Sequence, residues 1–312
     1  MDPGTVRIHR RDPVRRSPPQ APVLGSLALV PYLTADVLAH ILPRPALDSI
    51  ARTVARVAFE LRVPARRRLE ANLERVGRGI DSEPRVGVAE RDDPETREAL
   101  RRSARDTFEH FALAFADFLT LGRIGRDALE ESIVVRGEQH YHAARTAGRG
   151  VIVMSAHAGN WELGAAFLAA RGLRVHVVAR RHASARVESF FARRRAVWGV
   201  TRLGGRPLWL AASAALRRRE WVAMMGDRPA PGSRGSLCAW AAALARRTGA
   251  ILLPATMTRL PDGRYLATFD APIDAAACAE GSWRETMIGH LRRAPGQWFA
   301  FEALPEAFVG PA

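Results

Sequence analysis

The 312-residue chain contains no lysine: all 47 of its basic residues are arginine. That absence excludes a phosphate-cradling P-loop lysine and any Schiff-base chemistry, because both need an amine that a guanidinium does not supply. Cysteine is nearly as scarce. Cys238 and Cys278 are the only two, and their separation fits neither a disulfide framework nor a metal-ligand spacing, so they are read as buried thiols. The zincin pattern H-E-x-x-H is missing, and so is G-x-S-x-G, which leaves Ser155 without the sharp turn that presents an α/β-hydrolase nucleophile. No repeat of fixed period is present.

What the chain does have is ample core material, 47% hydrophobic residues with seven Trp and twelve Phe, enough for one large domain or two modest ones. Its formal charge of +15 calls for an anionic partner: nucleic acid, a membrane surface or an acidic carrier protein. An Ala- and Arg-rich composition contributes to that excess independently of function, so the distribution of charge matters more than the total. Residues 180–206 hold Arg180, Arg181, Arg186, Arg193, Arg194, Arg195, Arg202 and Arg206 against a single acid, Glu188.

The Arg- and Pro-rich residues 1–20 read as a disordered basic arm. Residues 21–43 are mostly apolar, but Pro31, Asp36 and His40 interrupt them, which favours an interfacial or packed helix over a span. No small-residue cleavage site follows, and Arg10–Arg11 is a weak export signal. The expected location is the cytoplasmic face of the cell membrane. Residues 21–120 form a helical, membrane-proximal region: Ile50, Val54, Val57 and Leu61 recur at helix spacing, as do Leu100, Ala104, Phe108, Phe111, Phe115 and Phe118, a stripe read as core packing. Residues 77–94 between them are loop-like.

From residue 121 to 312 the rhythm is that of an α/β core. Val151–Ala156 is an apolar run bounded by Gly150, a helix leads from Trp161 to Arg171, and Leu173–Ala179 is a second β-rich run. Helices near 184–197, 208–219 and 236–247 alternate with strands at Trp221–Met225 and Ala250–Met257, and Pro261–Asp262–Gly263 turns the chain into a strand at 264–270. The alternation predicts a mainly parallel sheet flanked by helices, with one antiparallel hairpin near its end.

One stretch, M-S-A-H-A-G-N-W-E-L at 154–163, places His157 just after a strand's carboxyl end, where open parallel sheets put their ligand sites. On a continuous helix His157 and Glu162 would point about 140° apart. They meet only if the helix begins between them, which Gly159–Asn160 allows, with Asn160 as cap and Glu162 in the first turn. Two readings stay open: a general-base pair in which Glu162 fixes the imidazole tautomer, or a capping network without chemistry. No second His or Cys stands at metal-ligand spacing, so no metal is expected. Asp227 follows a buried strand in a Gly/Pro-rich loop and is a further site candidate.

From about Asn72 to Pro305 the order of features resembles the bacterial lipid A late acyltransferase family, which includes the phosphatidylinositol mannoside acyltransferases. The residues that carry the resemblance are N-L-E-R-V at 72–76, G-R-G-V-I-V-M-S-A-H-A-G-N-W-E-L at 148–163, V-V-A-R-R at 177–181 with Arg180, Arg195-x3-Gly199, Gly226–Asp227–Arg228, and A-R-R-T-G-A-I-L-L-P at 245–254. The chain departs from the family pattern in lacking an F-F-G-like segment between Gly235 and Gly249, in carrying Ala158 beside the histidine, and in placing Glu302 and Glu306 where members tend to be basic.

The resemblance implies a glycerolipid-acyltransferase-like fold and transfer of a fatty acyl group from an acyl-carrier-protein or coenzyme A thioester to a hydroxyl of a membrane glycolipid or phospholipid. His157 and Glu162 would be catalytic, and Asn160, Arg180, Arg195, Asp227 and Arg228 substrate-binding. No cofactor beyond the acyl-donor substrate is expected. The partners implied are the carrier protein or coenzyme A thioester and an anionic membrane lipid. Phe190, Phe191 and Trp198 interleave the arginine run without forming a nucleic-acid reading motif, so no nucleic-acid partner is expected. The alternatives are a thioesterase-like hydrolase on the same pair and, from the charge, a non-enzymatic basic nucleic-acid-binding protein.

Overall fold

The computed structural model describes residues 29–61, 64–78, 94–204, 207–228, 237–302, 304 and 308. The basic arm, most of the loop at 77–94, Arg206 and Glu306 lie outside them. Four helices open the fold: α1 (Val30–Ile41), α2 (Arg44–Glu60), α3 (Pro64–Arg78) and α4 (Pro94–Thr120). Pro31 and Pro45 sit in the first turns of α1 and α2, where a missing N–H breaks no hydrogen bond. The Phe stripe of α4 divides. Phe108 is buried and meets Phe59 of α2 edge-on, with ring centroids 5.7 Å apart; Phe118 is also buried in the core but borders a cavity that Phe111 and Phe115 line.

Behind these helices stands a seven-stranded sheet in the order β1-β7-β6-β2-β5-β3-β4. Its strands are β1 (Ile133–Arg136), β2 (Val151–Ser155), β3 (Val175–Val178), β4 (Thr201–Leu203), β5 (Trp221–Met225), β6 (Ile251–Arg259) and β7 (Tyr265–Phe269). All neighbouring pairs are parallel except β6–β7, the hairpin turned by Pro261–Asp262–Gly263. The fold is therefore the expected α/β architecture with an N-terminal helical region. The two edge strands, β1 and β4, are absent from the sequence reading because four and three residues are too few to carry a period.

Eight further α-helices are described around the sheet: α5 (Arg126–Glu131) before the first strand, α6 (Glu138–Thr146), α7 (Trp161–Ala170), α8 (Ala185–Val197), α9 (Leu208–Arg217) and α10 (Leu237–Thr248) between strands, and α11 (Ala275–Glu280) and α12 (Ser282–Arg293) after the last. They cover both faces, which is why β2 is buried at every position and reads as a continuous apolar run rather than an alternation. Ile152, Met154, Val222 and Met224 fill one face; Val151, Val153, Trp221 and Ala223 fill the other. Among the described residues no helix is long and apolar enough to cross a membrane.

Candidate active site

β2 and β5 are neighbours in the sheet and pair with Ser155 opposite Met225. His157 and Asp227 thus stand two residues beyond the ends of adjacent strands, level with one another at the carboxyl edge. The ladder runs one step past the strands, with Gly226 N–H donating to Ser155 O at 2.7 Å. Only glycine fits at 226, because a Cβ there would lie 2.6 Å from the Trp283 ring.

Asp227 is wholly buried and accepts three hydrogen bonds. Oδ1 takes His157 Nδ1–H at 2.8 Å, and Oδ2 takes the His157 backbone N–H and Trp298 Nε1–H, each at 3.1 Å. An ionised carboxylate only accepts, so Nδ1 carries the proton and Nε2 is left as the basic nitrogen of the neutral ring. Burial by itself would raise the Asp227 pKa. The hydrogen bond of His157 and its charge once the imidazole is protonated at acid pH, with the neighbouring Arg228 and the Trp298 N–H, outweigh it and bring the carboxyl down to about 2.

Glu162 does not take the place expected of it. Both of its oxygens are held by Arg195, Oε2 by Nε at 2.9 Å and Oε1 by Nη2 at 2.5 Å. The helix starting at Trp161 turns Glu162 toward the last turn of α8, where Arg195, only 9% exposed, requires a counter-charge. The same fork removes Arg195 from the set of free anion-binding groups. Burial would lower its pKa, but the hydrogen bond and charge of Glu162 hold it above the usual arginine value.

The loop between the strand and α7 is pinned from behind. Gly159 has φ of 62°, and a Cβ there would come within 1.9 Å of Met257 O. Its N–H donates to Gln297 O at 2.8 Å, and that of Asn160 to Met257 O at 2.7 Å. Asn160 is the helix cap predicted from sequence, its Oδ1 accepting from Leu163 N–H at 3.0 Å. Its amide nitrogen donates to Tyr265 Oη and Ala114 O. These bonds make Asn160 a support of the corner.

His157 lines a cavity of about 590 Å³. Phe299 and Trp161 stand near it; Arg180 also lines the cavity; Phe115 and Tyr32 form the helical wall; and Leu168, Val153, Ala267 and Phe269 close the deep end among core residues. Trp161 meets the imidazole edge-on, with centroids 5.1 Å apart. Arg180 is exposed and has no ion-pair partner among the described residues. Arg228 also lines the cavity, with Nη2 donating to Phe299 O at 3.4 Å and a buried Nη1 that has no partner among the described residues. Glu302 approaches Arg228 at 3.9 Å.

A profile described as bacterial lipid A biosynthesis acyltransferase matches residues 28–301, which span His157, Asp227, Trp298 and almost the whole cavity. The chain belongs to that family. It is an acyltransferase of the lipid A biosynthesis type. No curated protein matches the chain.

Within this family member the structure separates residues that the sequence reading joined. His157, Arg180, Arg195, Asn160, Glu162 and Arg228 all border one cavity, while Asp227 lies behind His157 as its hydrogen-bond partner. Trp298 is a supporting residue of the site. Its indole tethers Asp227, and its backbone bridges Ala158, the residue after the histidine.

Proposed function

We propose that the protein transfers a fatty acyl group from a thioester to a lipid hydroxyl, with His157 as general base and Asp227 as the group that orients it. The observation that carries the reading is the His157–Asp227 hydrogen bond of 2.8 Å at a cavity whose deep wall is hydrocarbon. His157 Nε2 removes the acceptor's hydroxyl proton as its oxygen attacks the thioester carbonyl. Asp227 stabilises the imidazolium so formed, the C–S bond breaks, and the departing sulfur recovers the proton from Nε2. Such general-base assistance is worth about 10²–10⁴-fold.

The acyl chain lies in the apolar depth, which leaves the charged parts of both substrates at the mouth. Arg180 lines the cavity there, and Arg181, Arg186 and Arg193 follow it in the chain; all four are exposed and have no partner among the described residues. They suit the phosphate of a lipid headgroup or pantetheine, or an acidic carrier protein. Arg228, whose buried Nη1 has no partner among the described residues, lines the same cavity.

The protein reaches its lipid from the membrane surface. Among the described residues twelve large hydrophobic side chains are exposed, and eight of them, Val30, Leu33, Val37, Ile41, Ile50, Val54, Val57 and Leu61, lie at helical spacing on α1, α2 and the residue that caps α2. The inner side of α1 contributes Tyr32 to the cavity wall, so the helix that meets the bilayer also borders the site. Incubating the protein with an acyl thioester and a bacterial lipid extract, followed by mass spectrometry, tests this reading. A new acylated lipid supports it; release of free fatty acid alone replaces it with a thioesterase.

A further inference from the structure

Gly164 lies inside α7 with ordinary helical backbone, not the positive φ that calls for glycine at Gly159. A glycine in a helix interior is less stable than alanine. Crowding does not require it either: a Cβ at 164 would meet only Met257 Cβ at 3.6 Å and Cε at 3.9 Å, ordinary van der Waals contact. What distinguishes the position is the cavity. Gly164 lines it, between Trp161 one turn toward the mouth and Leu168 one turn deeper.

From Trp161 to Leu168 the helix advances about 10 Å, the reach of roughly eight methylene groups. Met257 faces Gly164, and beside it the sheet wall is low: Ala267, its partner on β7, and Ala255 line the cavity together with Val153 and Phe269. No charged side chain borders this inner part, so its occupant is hydrocarbon. A side chain longer than alanine's at 164 would run into Met257 and take cavity space beside it.

We infer that Gly164 sets the length of acyl chain the protein accepts, by leaving open the passage between α7 and the sheet. The inference rests on the acyl-transfer reading for its biological meaning, but the cavity's capacity is measurable without transfer. Gly164→Leu fills the passage and Gly164→Ala leaves it open; Ala267→Leu narrows it from the opposite wall, independently of the helix.

The test is binding of saturated fatty acids of eight, twelve and sixteen carbons to the full chain, read by displacement of a fluorescent fatty acid. In the unsubstituted protein affinity rises with each step in length. In Gly164→Leu the sixteen-carbon advantage over eight carbons falls by at least a hundredfold, since a pocket distinguishes one methylene by about tenfold or more. Gly164→Ala keeps the original order. An unchanged length order in both folded Gly164→Leu and Ala267→Leu overturns the inference, as does an equal loss at every length. Where Gly164→Leu does not fold, Ala267→Leu alone decides. Length-dependent binding by a protein that transfers no acyl group would overturn the transfer reading and leave this one standing.

Discussion

Asp227 grips His157 twice, through Nδ1 of the ring at 2.8 Å and through the backbone N–H at 3.1 Å. The two contacts fix both the tautomer and the position of the residue that carries it. The arrangement follows from pairing Ser155 with Met225, since each chain continues two residues beyond its strand to reach the site.

Asp227→Asn is expected to fold and to lose about 10²–10⁴-fold in turnover, because an amide neither enforces the Nδ1–H tautomer nor stabilises the imidazolium. Steady-state rates beside circular dichroism check this. An unchanged rate would remove Asp227 from the mechanism.

The same residue gives an acid-stability signature. Its carboxyl sits at about 2, below the ordinary 3.8. A lowered carboxylate pKa contributes stability that is complete above about pH 4 and is lost as the pH falls toward 2, in total about 2 kcal/mol. Urea unfolding at a series of pH values should show a steeper loss in that window for the unsubstituted protein than for Asp227→Asn.

Glu162 and Arg195 should behave as a structural unit. Either single substitution, Glu162→Gln or Arg195→Gln, leaves a nearly buried charge unpaired, and about 3–5 kcal/mol of stability is expected to go with it. The double variant should be less destabilised than the sum of the singles, measured by denaturant unfolding. If Glu162→Gln instead leaves stability unchanged while abolishing turnover, Glu162 acts chemically after all.

Gly159→Ala tests the corner that presents the histidine. A positive φ and a Cβ at 1.9 Å from Met257 O allow no side chain without movement of β6, so a loss of about 3 kcal/mol or more is expected in thermal unfolding.

Membrane contact is checked by placing acidic side chains in the apolar stripe. Val37→Glu with Val54→Glu, both on exposed positions, should reduce co-sedimentation with anionic vesicles at least tenfold while leaving the melting temperature within a few degrees. Equal vesicle binding would place the contact elsewhere.

Much of the α/β core was legible because glycines punctuate it: Gly150 bounds β2, Gly172 closes α7, and Pro261–Asp262–Gly263 marks the hairpin. Local patterns of this kind also identified the Asn160 cap. The partner of His157 was not legible, because it depends on strand order. Sequence order leads from β2 through α7 to β3, whereas the sheet inserts β5 between them and so brings Asp227, seventy residues away, to the imidazole. Glu162 looked the nearer choice from spacing alone, and only the position of Arg195 on α8 shows where its carboxylate is bound. The α4 phenylalanines illustrate the same limit. Helical periodicity found their common face but gave no means of telling a packed core from the wall of a cavity.

The most direct test compares acyl transfer from a thioester to a lipid hydroxyl by the unsubstituted protein and by His157→Ala, each shown to be folded. The account predicts an acylated lipid with the first and a rate at least a hundredfold lower with the second; full transfer by His157→Ala would contradict it.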